Sequence, residues 1–102
     1  MTLFQPGSAK GAALAREIDV ALCRPLPHSE PLGALPARPP WIARPYITLL
    51  RDTTCPAVIV EALHLTCPRE VDWVLRPTAA AELGEAVARG VLAWLASPLG
   101  RP

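Results

Sequence analysis

The stretch Cys55-Pro56-Ala57-Val58-Ile59-Val60-Glu61-Ala62-Leu63-His64-Leu65-Thr66-Cys67-Pro68 decides how the chain folds. Residues 57–60 are apolar at every position. A strand with one wet face alternates apolar and polar side chains, so an unbroken apolar run predicts a strand covered on both faces. Glu61 follows at once, which puts a carboxylate at or just past the strand end. Burying it ionised would cost on the order of several kcal/mol without a cation, hydrogen bonds or water. Ends of parallel strands are also where α/β folds gather ligand and catalytic groups. Two readings of Glu61 are open on this pattern: a functional carboxylate, or a solvated strand-terminal residue paired with Arg51 or Arg69.

Working outward, Arg51-Asp52-Thr53-Thr54 is a polar break, and Tyr46-Ile47-Thr48-Leu49-Leu50 has the β-branched and aromatic content of a second strand. Downstream, Thr66-Cys67-Pro68 starts a short helix, with proline at the first turn where its missing N–H is not needed. Val71, Val74 and Leu75 give that helix an apolar side, and Pro77 ends it. Thr78 caps a final helix over residues 79–96 with a stripe of Leu83, Val87, Val91, Trp94 and Leu95. Glu82 and Glu85 favour its positive end. At the other extreme, Pro6-Gly7 reads as a turn and Ser8 as the N-cap of a helix over 9–23, whose Leu14, Ile18 and Leu22 recur every fourth position. The expected order is helix, long loop, strand, strand, short helix, long helix. That is an α/β domain, a partial three-layer arrangement of sheet and helices, over residues 1–102.

Composition narrows the function. The chain has 102 residues, 51% of them hydrophobic and 19% charged, which excludes a disordered segment. A net charge of +1 without a basic run excludes electrostatic nucleic-acid binding. No window approaches the roughly 18 apolar residues of a membrane span. The first ten residues lack a signal peptide's charged start and apolar stretch, so the chain as given reads as cytoplasmic. Three irregularly spaced cysteines, Cys23, Cys55 and Cys67, do not make a disulfide scaffold. Seven of the 13 prolines fall in residues 24–45, an unusually long loop for a compact domain.

Cys55-Pro56-Ala57-Val58-Ile59-Val60-Glu61, followed by Leu65-Thr66, Pro68 and Glu70, resembles the closing signature of the zinc-dependent N-acetylmuramoyl-L-alanine amidases, P-x-[VI]-L-V-E-x-G-F-[LI]-[ST]-N-x-x-E. Three other segments are similar in order. Ser8 with Leu14-Ala15 and Ile18 resembles the family's S-x-x-L-A-x-x-I helix, residues 46–51 its strand ending in V-L-R, and residues 86–95 its final helix A-x-A-[IV]-x-x-G-[IV]-x-x-[YFW]-[LI]. The resemblance covers nearly all of the chain outside the proline-rich loop. It implies a peptidoglycan hydrolase that cuts the amide between the lactyl group of N-acetylmuramic acid and the first L-alanine of the stem peptide. It makes Glu61 the catalytic glutamate that works beside a zinc-bound water, and peptidoglycan or a muropeptide the partner. Family members act in the periplasm or cell wall. It also requires residues 46–50 and 57–60 to lie side by side in one sheet.

The family's zinc ligands, in G-H-G-G and S-x-H-x-N segments and a glutamate between them, have no counterpart in this sequence, and neither His28 nor His64 sits in such a motif. Zinc is thus implied as cofactor while no metal ligand is assigned to this chain. The expectation is the second half of an amidase domain, inactive alone. A second chain covering an exposed sheet edge is a further expected partner. The family's Gly, Phe and Asn are here Leu63, His64 and Cys67, and a Gly position often needs a backbone that Leu resists. The alternatives are a non-catalytic remnant of the fold that binds muropeptides or another protein, and an unrelated α/β protein with a solvated Glu61. Cys55, His64 and Cys67 could form a three-ligand metal cluster, or a Cys/His nucleophilic pair, against the plainer reading of small buried thiols. Trp73 and Trp94 read as core, and Trp41 either stacks on a sugar or pins its loop. Pro36-Ala37-Arg38-Pro39 is a weak groove-binding motif.

Overall fold

The computed structural model describes residues 1–26, 34–36 and 47–101. Strand β1 (Thr2–Phe4) is the centre of a small sheet. On one side it pairs in parallel with β2 (Ala34–Pro36), and on the other it runs antiparallel to β3 (Val58–Val60), with Leu3 opposite Ile59 and Thr2 opposite Val60. Helix α1 (Ala9–Leu22) follows β1, α2 (Thr48–Asp52) precedes β3, and α3 (Pro68–Val74) and α4 (Ala79–Ala96) close the chain. This is a small mixed α/β domain.

The period-2 geometry of β3 explains its apolar run. Val58 and Val60 pack into a cluster built by Leu14, Ile18 and Leu22 of α1, Leu26, Trp73 and Ala86. Ile59 points the other way, to Leu3, Leu50 and Ile47. Both faces are therefore apolar contacts, as the run predicts. All three residues remain half-buried because β3 has a sheet neighbour on one side only among the described residues.

Ser8 caps α1, its hydroxyl accepting the Gly11 N–H at 3.0 Å, and the helix spans the predicted range less one residue. Pro68 opens α3 behind Cys67, and α4 runs over the predicted residues. The close approach of α1 and α4 has one small residue at its centre. A Cβ on Gly90 would lie 2.5 Å from the Ile18 Cα, so only glycine lets the two backbones meet there.

Two expectations fail. The segment predicted as a strand over 46–50 is helical from Thr48 to Asp52, while Tyr46 lies outside the described residues. Consequently 46–50 and 57–60 are not neighbouring strands. One helical turn satisfies the backbone locally, with the N–H groups of Leu50 and Arg51 donating to the Ile47 carbonyl, and it buries Leu50 while leaving Leu49 in solvent. The outer edge of β3 is thus left without a strand among the described residues. The expected order also omitted the first element. Thr2-Leu3-Phe4 is too short to show a period, yet it forms the middle strand. The proline-rich loop, expected to lack regular structure, contributes β2, and Leu26 joins the core; its residues 27–33 and 37–45, with His28 and Trp41, lie outside the described residues.

Candidate functional site

Glu61 sits one residue past β3, and its backbone continues the ladder with β1. Its N–H donates to the Met1 carbonyl at 2.8 Å, and the Met1 ammonium donates to the Glu61 carbonyl at 2.8 Å. The main chain is thus held by two bonds to Met1 while the side chain is exposed. Its carboxylate makes no hydrogen bond or ion pair among the described residues. The pairing with Arg51 considered from sequence does not form: Arg51 lies toward the other end of β3, where its Nη2 donates to Oδ2 of its neighbour Asp52 at 2.6 Å. Hydrogen bonds from Arg51 hold the Asp52 carboxyl below its usual value, and the guanidinium charge acts in the same direction. The Met1 ammonium in turn lies 3.9 Å from the carboxylate of buried Asp19 of α1.

Residues 61–67 are tied down by Glu70. Its carboxylate accepts the N–H of His64 and lies 3.5 Å from His64 Nδ1, and the Cys67 N–H closes a turn on the His64 carbonyl at 3.0 Å. Glu70 stands in the first turn of α3, so a side chain there reaches back to the incoming chain as a capping glutamate does. Leu63 faces inward and packs half-buried on the main cluster. No non-glycine residue among those described has a positive φ, so Leu63 occupies its place without the left-handed backbone that glycine would allow.

The three thiol and imidazole candidates do not assemble. Cys55 precedes β3, whereas His64 and Cys67 follow it, and no three His, Cys, Asp or Glu side chains converge among the described residues. The residues described therefore do not fit a zinc ion. His64 turns its ring to Glu70, and the Cys67 thiol has no hydrogen bond to it, so no nucleophilic pair is formed either.

Sequence reasoning missed one concavity. An open cleft of about 330 Å³ lies at the opposite end of β3 from Glu61, between the start of α1 and residues 50–57, with Lys10, Arg51, Thr54 and Cys55 on its walls. Its lining comes from two separate stretches, and no local pattern joins them. Comparison with protein-family models, with curated proteins and with solved structures finds no match to this chain. No helix among the described residues is long and apolar enough to cross a membrane.

Proposed function

We propose that this chain supplies the glutamate-bearing part of an N-acetylmuramoyl-L-alanine amidase-like catalytic domain acting on peptidoglycan stem peptides. The observation that carries the reading is Glu61 itself: an exposed carboxylate without a partner among the described residues, held by its main chain at the end of a strand whose both faces are apolar. In this reading Glu61 takes a proton from the water attacking the lactyl–L-alanine amide and returns one to the leaving amine. Two further features are consistent with it. Glu70, the last residue of the resembling signature, holds the 61–67 segment, and Ile18 and Gly90, from two resembling helices, meet at the α1–α4 contact. Residues 46–50 do not form the strand beside 57–60 that the resemblance requires, which counts against the reading, and what supports it is the other three segments. The zinc used by family members has to be held by residues other than those described. The reading therefore assigns this chain a proton-transfer residue and a wall of the site, with the cell wall as its place of action.

A chimera tests this directly, with the metal-binding half of a zinc amidase joined ahead of residue 1. The expected result is zinc-dependent release of stem peptides from purified sacculi, lost in Glu61→Gln with zinc content unchanged. A folded, zinc-loaded chimera that is inactive, or one indifferent to Glu61→Gln, refutes the assignment. A second reading is a non-catalytic muropeptide-binding or protein-binding remnant of the same fold. Co-sedimentation of the isolated chain with sacculi, unchanged by Glu61→Gln, supports that reading over the catalytic one.

A further inference from the structure

Helix α4 has two apolar faces, and the described residues pack on one of them. Ala79, Ala86 and Gly90 are buried, and Leu83, Val87, Val91 and Trp94 pack half-buried on the core. Along the outer side, Ala81, Gly84, Ala88, Leu92 and Leu95 recur at every third or fourth position, continued past the helix end by Leu99, and all six are exposed. The three leucines keep 65, 49 and 45% of their surface in solvent. No charged residue interrupts the row. Its size changes along its length, small in the first half and leucine in the second, and at Gly84 nothing lies within 4 Å of where a side chain would begin.

That gradient fits a second copy of itself in one direction only. A parallel copy would set leucine on leucine and leave the alanine and glycine end unfilled. An antiparallel copy sets the large end of each row over the small end of the other. With the two-fold axis at Ala88, each Leu92 falls over the other copy's Gly84 and each Leu95 over Ala81, about 6 and 10 Å from the axis at the helical rise. Charge on the flank agrees with this register. Glu85 and Arg89 are exposed and 3.8 Å apart within one helix. Reversing the second helix brings each Glu85 within about 3 Å, along the axis, of the other copy's Arg89, so the two arginines at the centre are bracketed by two glutamates in a neutral group of four.

We infer that α4 is a self-association surface through which two copies of this chain pair as an antiparallel, two-fold dimer centred on Ala88. A single helix face about 27 Å long buries far less than the roughly 800 Å² per partner of a standard interface, which makes this a micromolar rather than a nanomolar association. The inference is independent of the function of Glu61.

Sedimentation equilibrium across low to high micromolar protein, joined to disulfide trapping, tests it. The wild-type chain is expected to pass from monomer to dimer, and Leu92→Glu to stay monomeric with an unchanged circular dichroism spectrum. Glu85→Arg weakens the dimer several-fold, and adding Arg89→Glu to it restores the affinity. In a Cys55→Ser background, Ala88→Cys oxidises to an 88–88 disulfide identified by mass spectrometry. Ala81→Cys does not, because its two copies lie about 20 Å apart. A wild-type chain that stays monomeric at hundreds of micromolar overturns the inference. So does a dimer indifferent to Leu92→Glu, or one that traps at 81 and not at 88.

Discussion

The two glycines of α4 that differ most in surroundings should respond to alanine in opposite directions. Gly84 faces open space, and alanine there gains about 1 kcal/mol of helix propensity at no steric expense. Gly90 gains the same propensity but meets α1. Its new Cβ would stand 2.5 Å from the Ile18 Cα, 2.8 Å from the Ile18 N and 3.0 Å from the Glu17 carbonyl oxygen. Carbon atoms rest about 3.5–4.0 Å apart, so the helices must separate by about 1 Å. These are backbone atoms, and no rotamer change can move them aside. Overpacking of this kind costs about 1–3 kcal/mol, and a gap of that width forfeits a quarter to a half of the dispersion contacts around it. Subtracting the propensity gain leaves Gly90→Ala up to about 2 kcal/mol less stable than the parent. In a domain of this size 1 kcal/mol shifts Tm by roughly 4–8 °C. At low micromolar protein, thermal and urea unfolding followed by circular dichroism should place Gly84→Ala above the parent and Gly90→Ala below it. A Gly90→Ala variant as stable as Gly84→Ala would show that the helices do not meet at Ile18 and Gly90.

Four other expectations follow from single contacts. Ser8→Ala removes the cap on the Gly11 N–H and should lower stability by about 1 kcal/mol in urea unfolding, with Ser8→Asp recovering most of it. Glu70→Ala should speed hydrogen exchange at the His64 amide while leaving the amides of α1 unchanged, since only the 61–67 segment depends on that carboxylate. Asp52 should titrate below an ordinary aspartate by NMR and move up in Arg51→Gln; because its folded value is the lower one, its contribution is present above the unfolded pKa and fades as pH falls through the folded value. Leu63→Gly should destabilise the chain by about 1–2 kcal/mol in the same unfolding assay, through lost apolar burial, whereas a gain would mean that the leucine strains its loop.

What could be read in advance follows the length and period of each segment. The helices α1 and α4 carry four-residue repeats over 14 and 18 residues, and both form over the expected ranges to within a residue, although Thr78 makes no side-chain cap on α4 and Leu95, expected on its apolar stripe with Leu83 and Val87, is 49% exposed. Short segments carry too little pattern. Residues 48–52 combine leucines that suit a helix with a β-branched threonine that suits a strand, and what forms is one helical turn that buries Leu50 in the cluster with Leu3. β1 itself occupies three residues, and its place at the centre depends on β2 and β3, about 30 and 55 residues away along the chain. The position of Glu61 was legible because it rests on a local event, the end of an apolar run. The cleft near Lys10 and Arg51 and the clamp by Glu70 were not, since each needs distant stretches or a loop brought back on a helix.

The departures from the amidase-like signature acquire a physical meaning once Leu63 is placed. A glycine replaced by leucine could mark a loop decaying under strain, but strain requires either a forbidden backbone or a side chain without room. Neither holds: φ at Leu63 is negative, and the side chain is half-buried on the cluster that includes Val58, Val60 and Trp73. The loop is therefore anchored twice, by Leu63 to the core and by Glu70 to the His64 N–H. Those anchors lie two and nine residues after Glu61, and the ladder to Met1 fixes its main chain from the strand side. A carboxylate whose backbone is so constrained while its own oxygens are bonded to none of the described residues costs side-chain mobility on any ligand contact and little main-chain ordering. That distribution of rigidity is what a proton-transfer residue requires, and it is compatible with the leucine at position 63.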